Sequence, residues 1–166
     1  APAGTAALEG LSFTGGFAPL RDATGFALLV PEGFKALAAD QRPTERLVLE
    51  QGPTRILVQA QELPDLDGPE AFAVAVETGA FEQYLSYKRL SAERLPGPGG
   101  APGGAPAGLR LEFLAQVERT EELVRVTQVS RWAGPRVFHL LLVRPRDAAA
   151  PAWLERVAGS FAAEAP

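Results

Sequence analysis

The chain has 166 residues, 46% hydrophobic and 22% charged, with a formal net charge of -4. That length and apolar content suit one domain that buries a core without staples, and an acidic balance with no basic, aromatic-interleaved stripe argues against nucleic acid as a partner. The absence of cysteine excludes disulfides, thiolate nucleophiles, iron–sulfur clusters and cysteine-based zinc sites, and no apolar run approaches the ~18 residues that suggest a membrane-spanning helix.

In chain order, residues 1–16 are small and weakly periodic, and read as a loosely held arm that contributes an edge strand around Leu11 to Phe13. The stretch is rich in alanine and glycine over 1–7, as mature chains are after a secretory leader is removed, so a periplasmic or extracellular location is expected. The domain proper begins at Phe17 and runs to the end of the chain. Residues 26–30 form an apolar strand that Pro31 stops by removing a ladder donor. Residues 46–51 and 54–62 make a hairpin around Gln51-Gly52-Pro53-Thr54. In its second arm Ile56, Val58 and Ala60 share a buried face, and Arg55, Gln59 and Gln61 take the other.

Asp67-Gly68-Pro69-Glu70 opens a helix, with Asp67 accepting from early amides and Glu70 at capping-box spacing. The helix is expected to reach about Lys88. Phe72, Val76, Ala80, Tyr84 and Tyr87 form one stripe, and Val74, Phe81 and Leu85 a second; a kink or break at Gly79 would reconcile them. A strand follows over 89–95. The Gly/Pro run 96–108 has no charge and reads as a mobile loop linking two strands.

Leu109, Leu111, Phe113, Ala115 and Val117 then alternate with Arg110, Glu112, Gln116 and Glu118, the pattern of a one-sided strand. Residues 122–132 are rich in β-branched side chains, and Ala133-Gly134-Pro135 turns the chain into 136–144. Both faces of that last strand are apolar, which places it centrally. Trp153, Leu154, Val157 and Phe161 recur at helical spacing as a closing helix. The order predicts an α+β fold with a mainly antiparallel sheet.

Phe17, Asp22, Gly25-Phe26, Pro31-x-Gly33-Phe34 and the closing Leu154-x-x-Val157-Ala158-x-Ser160-Phe161 together resemble the PsbP-like family. Its members include an extrinsic subunit of the photosystem II oxygen-evolving complex, an import factor that binds the GTPase Ran, and many exported bacterial proteins. The resemblance implies an antiparallel sheet sandwiched by helices and used as a docking scaffold rather than as an enzyme. The family often places tryptophan where Phe34 stands here, and no binding residue is carried over.

The chemistry-bearing residues are few. His139, the single histidine, alternates in register with Val137 and Leu141 and is expected at a half-buried sheet position. Glu62, Asp65, Asp67 and Glu70 form an acidic cluster that could attract a hard cation, although the glycine comes too early for an EF-hand loop and capping accounts for half of it. The Gly/Pro run lacks the Gly-Lys-Ser/Thr ending of a phosphate cradle, so no cofactor is implied. Ser160 reads as helix packing, and Glu112 with Glu118 as solvated carboxylates rather than a hydrolase pair. Trp132, at a strand end, is the candidate interface residue.

The function expected is a non-enzymatic, exported scaffold or accessory protein that binds another protein. The alternative is a small-molecule or lipid carrier, its cargo held near Phe72, Val76, Tyr84 and Trp153. The preference for arginine over lysine, with abundant alanine, glycine and proline, points to a high-GC bacterial genome and is compatible with heat tolerance.

Overall fold

The computed structural model describes residues 8, 10–37, 45–62, 68–95, 108–116, 121–133 and 135–163. The expectations for Asp65, Asp67, Val117, Glu118 and residues 1–7 and 96–107 therefore lie outside the described residues. A first hairpin pairs β1 (Phe17–Arg21) with β2 (Phe26–Pro31), Phe17 opposite Pro31. No strand forms at Leu11 to Phe13; the pairing begins with a single bridge from Thr14 to Phe17.

Next come β3 (Lys35–Leu37), β4 (Glu45–Gln51) and β5 (Thr54–Glu62), then α1 (Pro69–Gln83) and β6 (Leu85–Leu95). The chain continues as β7 (Gly108–Gln116), β8 (Leu123–Ala133) and β9 (Arg136–Pro145), and closes with α2 (Leu154–Ser160) and β10 (Ala162–Ala163). Two antiparallel sheets result. One has the order β1-β2-β10 and the other β3-β4-β5-β9-β8-β7-β6.

The larger sheet is covered on both sides. Below it, Leu28, Ile56, Val58, Phe138, Leu140 and Leu142 pack with Leu154 and Val157 of α2. Above it, Phe72, Val76 and Ala80 of α1 meet Leu111, Phe113, Val126 and Leu141. Because β9 contributes to both cores and lies between β5 and β8, its double apolar pattern has the central meaning its sequence suggests. The Phe26 ring packs at 5.7 Å from Phe138 and 6.4 Å from Phe161, which ties the N-terminal hairpin and the end of the chain to the sheet.

Ser160 is more than packing: its hydroxyl accepts from Leu29 N at 2.9 Å and donates to the Val157 carbonyl at 2.7 Å, pinning α2 to β2. Gly33 turns the chain at φ +96°, and a β-carbon there would lie 2.6 Å from Gln51 Nε2. The positive φ is what requires glycine, since the exposed Gln51 amide can swing aside.

α1 differs from expectation at both ends. Its N-cap is Gly68, with no side-chain capping bond, and Glu70 pairs instead with Arg94 of β6. The helix passes Gly79 without a break and stops at Tyr84, which is extended; Ser86 at φ 54° then turns the chain into β6. Tyr84 and Tyr87 still reach Phe113, with ring centroids at 5.3 and 4.8 Å. The second apolar stripe is reconciled by exposure rather than by a kink: Val74 and Phe81 are each 65% exposed, and Leu85 belongs to the strand at 58%.

Candidate functional site

The central strands carry a polar patch on the face beneath α1. Gln59 lies opposite His139 on β5 and β9, and Ser130 of β8 lies opposite His139 on the other side. Residues directly opposite in an antiparallel pair share a face, so Gln59, Gln61, Gln128, Ser130 and His139 all project to one side. His139 is buried rather than half-buried, because α1 roofs the strand that sequence alternation left half-open.

The imidazole is held from both nitrogens. Nε2 lies 3.1 Å from Gln61 Oε1 and Nδ1 lies 2.7 Å from Ser130 Oγ, with Gln128 Nε2 3.1 Å from the same hydroxyl. One proton arrangement satisfies the chain: Nε2–H donates to Gln61, and Nδ1 accepts from Ser130, whose oxygen accepts from Gln128. Burial pushes the imidazole down from its ordinary 6.5 to about 4, so at neutral pH the ring is uncharged and a weak base. Ser130 is wholly buried. The arrangement exchanges hydrogen bonds; it does not present an activated nucleophile.

Gln59, Gln61, Gln128 and His139 form one side of a cleft of about 370 Å³. Val76, Gly79, Ala80 and Gln83 of α1 form the other, with Glu82 at its rim. A larger groove of about 820 Å³ has walls of mixed sign, Arg55 and Arg146 among Glu121, Glu122 and Asp147.

The other residues singled out by sequence are dispersed. Glu62 is exposed at the end of β5, and Glu70 is engaged with Arg94. No three acidic or histidine side chains form a metal-ligating group among the described residues. Glu112 is paired rather than solvated, 2.7 Å from Arg125 and 3.4 Å from Arg110. Burial opposes its ionisation, but the bonds and charges of Arg125 and Arg110 outweigh that and hold it below the usual carboxylate range.

Arg110 in turn grips both oxygens of Glu155 on α2 at 2.7 Å. Trp132 is half-buried and stacks on Phe72, ring centroids 5.3 Å apart and nearly parallel. The four residues of the carrier reading do not line one cavity: Phe72, Val76 and Tyr84 belong to the core under α1, whereas Trp153 packs edge-on against Phe34 in the other.

On the other flank of α1, Val74, Phe81 and Leu85 stand exposed beside β6. This strand ends the seven-stranded sheet, and among the described residues it pairs with β7 alone. The Gln patch and this flank were both missed by sequence reasoning. Gln59 and Gln61 read as the face opposite the buried one and Gln128 carried no signal, and only the cover of α1 gives the three a common cleft.

No protein-family model and no curated protein matches the sequence. By structure, the chain is similar to cyanobacterial PsbP (CyanoP) from Synechocystis sp. PCC 6803, with a TM-score of 0.62 over 92% of this chain and 97% of that one, at 16% identity. It also aligns with PA94 from Pseudomonas aeruginosa, a protein of unknown function, at a TM-score of 0.45 and 18% identity over 80% of this chain and 85% of that one. The fold is PsbP-like, an α+β arrangement of mainly antiparallel sheets with helices, as the resemblance of the motif residues implies.

Proposed function

We propose that the protein is a non-catalytic accessory module that binds another protein along β6 and the adjoining flank of α1. The observation that carries this reading is the exposure of Val74, Phe81 and Leu85 beside a strand whose outer edge has no partner among the described residues. Large apolar side chains grouped at a sheet edge suit an extended partner segment, which gains backbone hydrogen bonds from the edge and apolar contact from the flank. Register shifts within β6 and its Lys88, Arg89 and Arg94 discourage indiscriminate strand addition, which favours a selective partner.

A photo-crosslinking residue at Phe81 tests the proposal, with exposed Glu32 as control position and Trp132 as competing site. One recurrent protein adduct from position 81 and none from position 32 is the expected result. Equal adducts from both, or adducts from position 132 alone, would refute the α1–β6 site. The compartment proposed with it is periplasmic or extracellular, tested by protease digestion of the tagged protein after the outer envelope is opened.

A further inference from the structure

We propose that the cleft between α1 and the Gln patch is a binding site for an uncharged, polyhydroxylated molecule of about monosaccharide size. Its volume of about 370 Å³ falls at the small end of ligand pockets, which run from roughly 300 to 1,000 Å³. Gln59 is 9% exposed, and its carboxamide makes no hydrogen bond among the described residues. The carboxamide atoms face the open cleft, where water satisfies them and a ligand hydroxyl can take its place.

The neighbouring network leaves complementary capacity. With Gln61 Oε1 taken by His139, its amino group remains free to donate; with Gln128 Nε2 taken by Ser130, its carbonyl remains free to accept. Donors and acceptors alternating along one side match hydroxyls, which serve as both.

Charge and shape narrow the class. Among the described residues no cation lines the cleft, His139 is neutral, and Glu82 at the rim repels anions. The helical side offers Val76, Gly79 and Ala80, an aliphatic surface for the C–H face of a sugar ring, and among the described residues no Phe, Tyr or Trp lines the cleft. The absent side chain of Gly79 keeps the space open: a β-carbon there would meet nothing within 4 Å. Nothing in this site overlaps the exposed flank of α1, so the two proposals stand or fall separately.

Titration of isotope-labelled protein with methyl α-D-glucoside and methyl β-D-galactoside, and with D-glucuronate as the anionic comparator, tests the site by NMR. The expected result is a saturable shift of the Gln59, Gln61 and Gln128 carboxamide signals and the His139 ring with at least one neutral glycoside, and weaker binding of glucuronate. Gly79→Leu, which fills the cleft, should weaken binding about tenfold or more without lowering the melting temperature. Gln59→Ala, which removes a side chain with no hydrogen-bond partner among the described residues, should weaken it as well and serves as arbiter if the leucine variant folds poorly. No saturable shift with either neutral glycoside up to about 100 mM, where a millimolar ligand saturates, would overturn the proposal. Equal binding of glucuronate, or unchanged binding by Gln59→Ala, would do the same.

Discussion

Mild acidification should destabilise this protein through His139. Burial lowers the imidazole from 6.5 to about 4, and the groups that touch it, Gln61, Gln128 and Ser130, are neutral. The unfolded chain therefore takes up the proton first as pH falls, and stability drops through the window from 6.5 towards 4. Well above 6.5 both states are neutral there and the histidine contributes no slope. With those two values, lowering the pH from 7 to 5 costs about 2 kcal/mol, and the full difference below the folded value is about 3 kcal/mol.

For a chain of this length, that first step corresponds to a fall in melting temperature of about 4–8 °C. Glu112 and Glu155, both held below 4.5 by their arginine partners, add their own loss as the pH nears and passes below 4.5, so the comparison with a variant lacking the ring isolates the histidine. The assay is urea unfolding at both pH values for the wild type and for His139→Gln, which keeps a polar side chain but has no titrating ring. The wild type should lose stability between them and the variant should not. An unfolding midpoint that stays put in the wild type, or an NMR titration placing the folded ring near 6.5, would refute the burial argument.

Three further substitutions probe the scaffold. Ser160→Ala removes the link between α2 and Leu29 of β2 and should cost about 1 kcal/mol in urea unfolding; an unchanged midpoint would mean that apolar packing alone docks the helix. Gly33→Ala should cost about 1–2 kcal/mol, because a side chain is forced to positive φ, and adding Gln51→Ala should recover only the part due to the 2.6 Å approach of Nε2. Complete rescue by the second change would show that crowding, not backbone strain, sets the requirement. Arg144 is 6% exposed, stands opposite Arg125, and its Nη1 lacks a hydrogen-bond partner. Arg144→Met should therefore be neutral or stabilising by about 1 kcal/mol, and a loss above about 2 kcal/mol would show that its charge is compensated after all.

Local alternation was enough to read β7, the β4–β5 hairpin and the central place of β9, because a strand's side chains report which of its faces is buried. It failed at α1, where the stripe of Val74, Phe81 and Leu85 looked like a second buried face. Burial of Phe72, Val76 and Ala80 suffices to dock the helix, so the other stripe remains in solvent and Leu85 leaves the helix to pair with Gln116. Composition excluded cysteine chemistry outright, and the short motifs around Gly33 and Ser160 marked real structural joints. The hydrogen bond from Leu29 to Ser160, 131 positions apart, was beyond local reading.

The sequence by itself thus determined the α+β layering, since the apolar periods of strands and helices need only nearest neighbours along the chain to declare a buried side. Tertiary structure alone decided where polar groups meet. Gln59, Gln128 and His139 come from three strands, and their shared burial depends on a helix formed by residues distant from all but the first. Periodicity records that a face is covered or open, but not which element covers it; that choice is made by packing, and here it turns scattered amides and one histidine into a cleft.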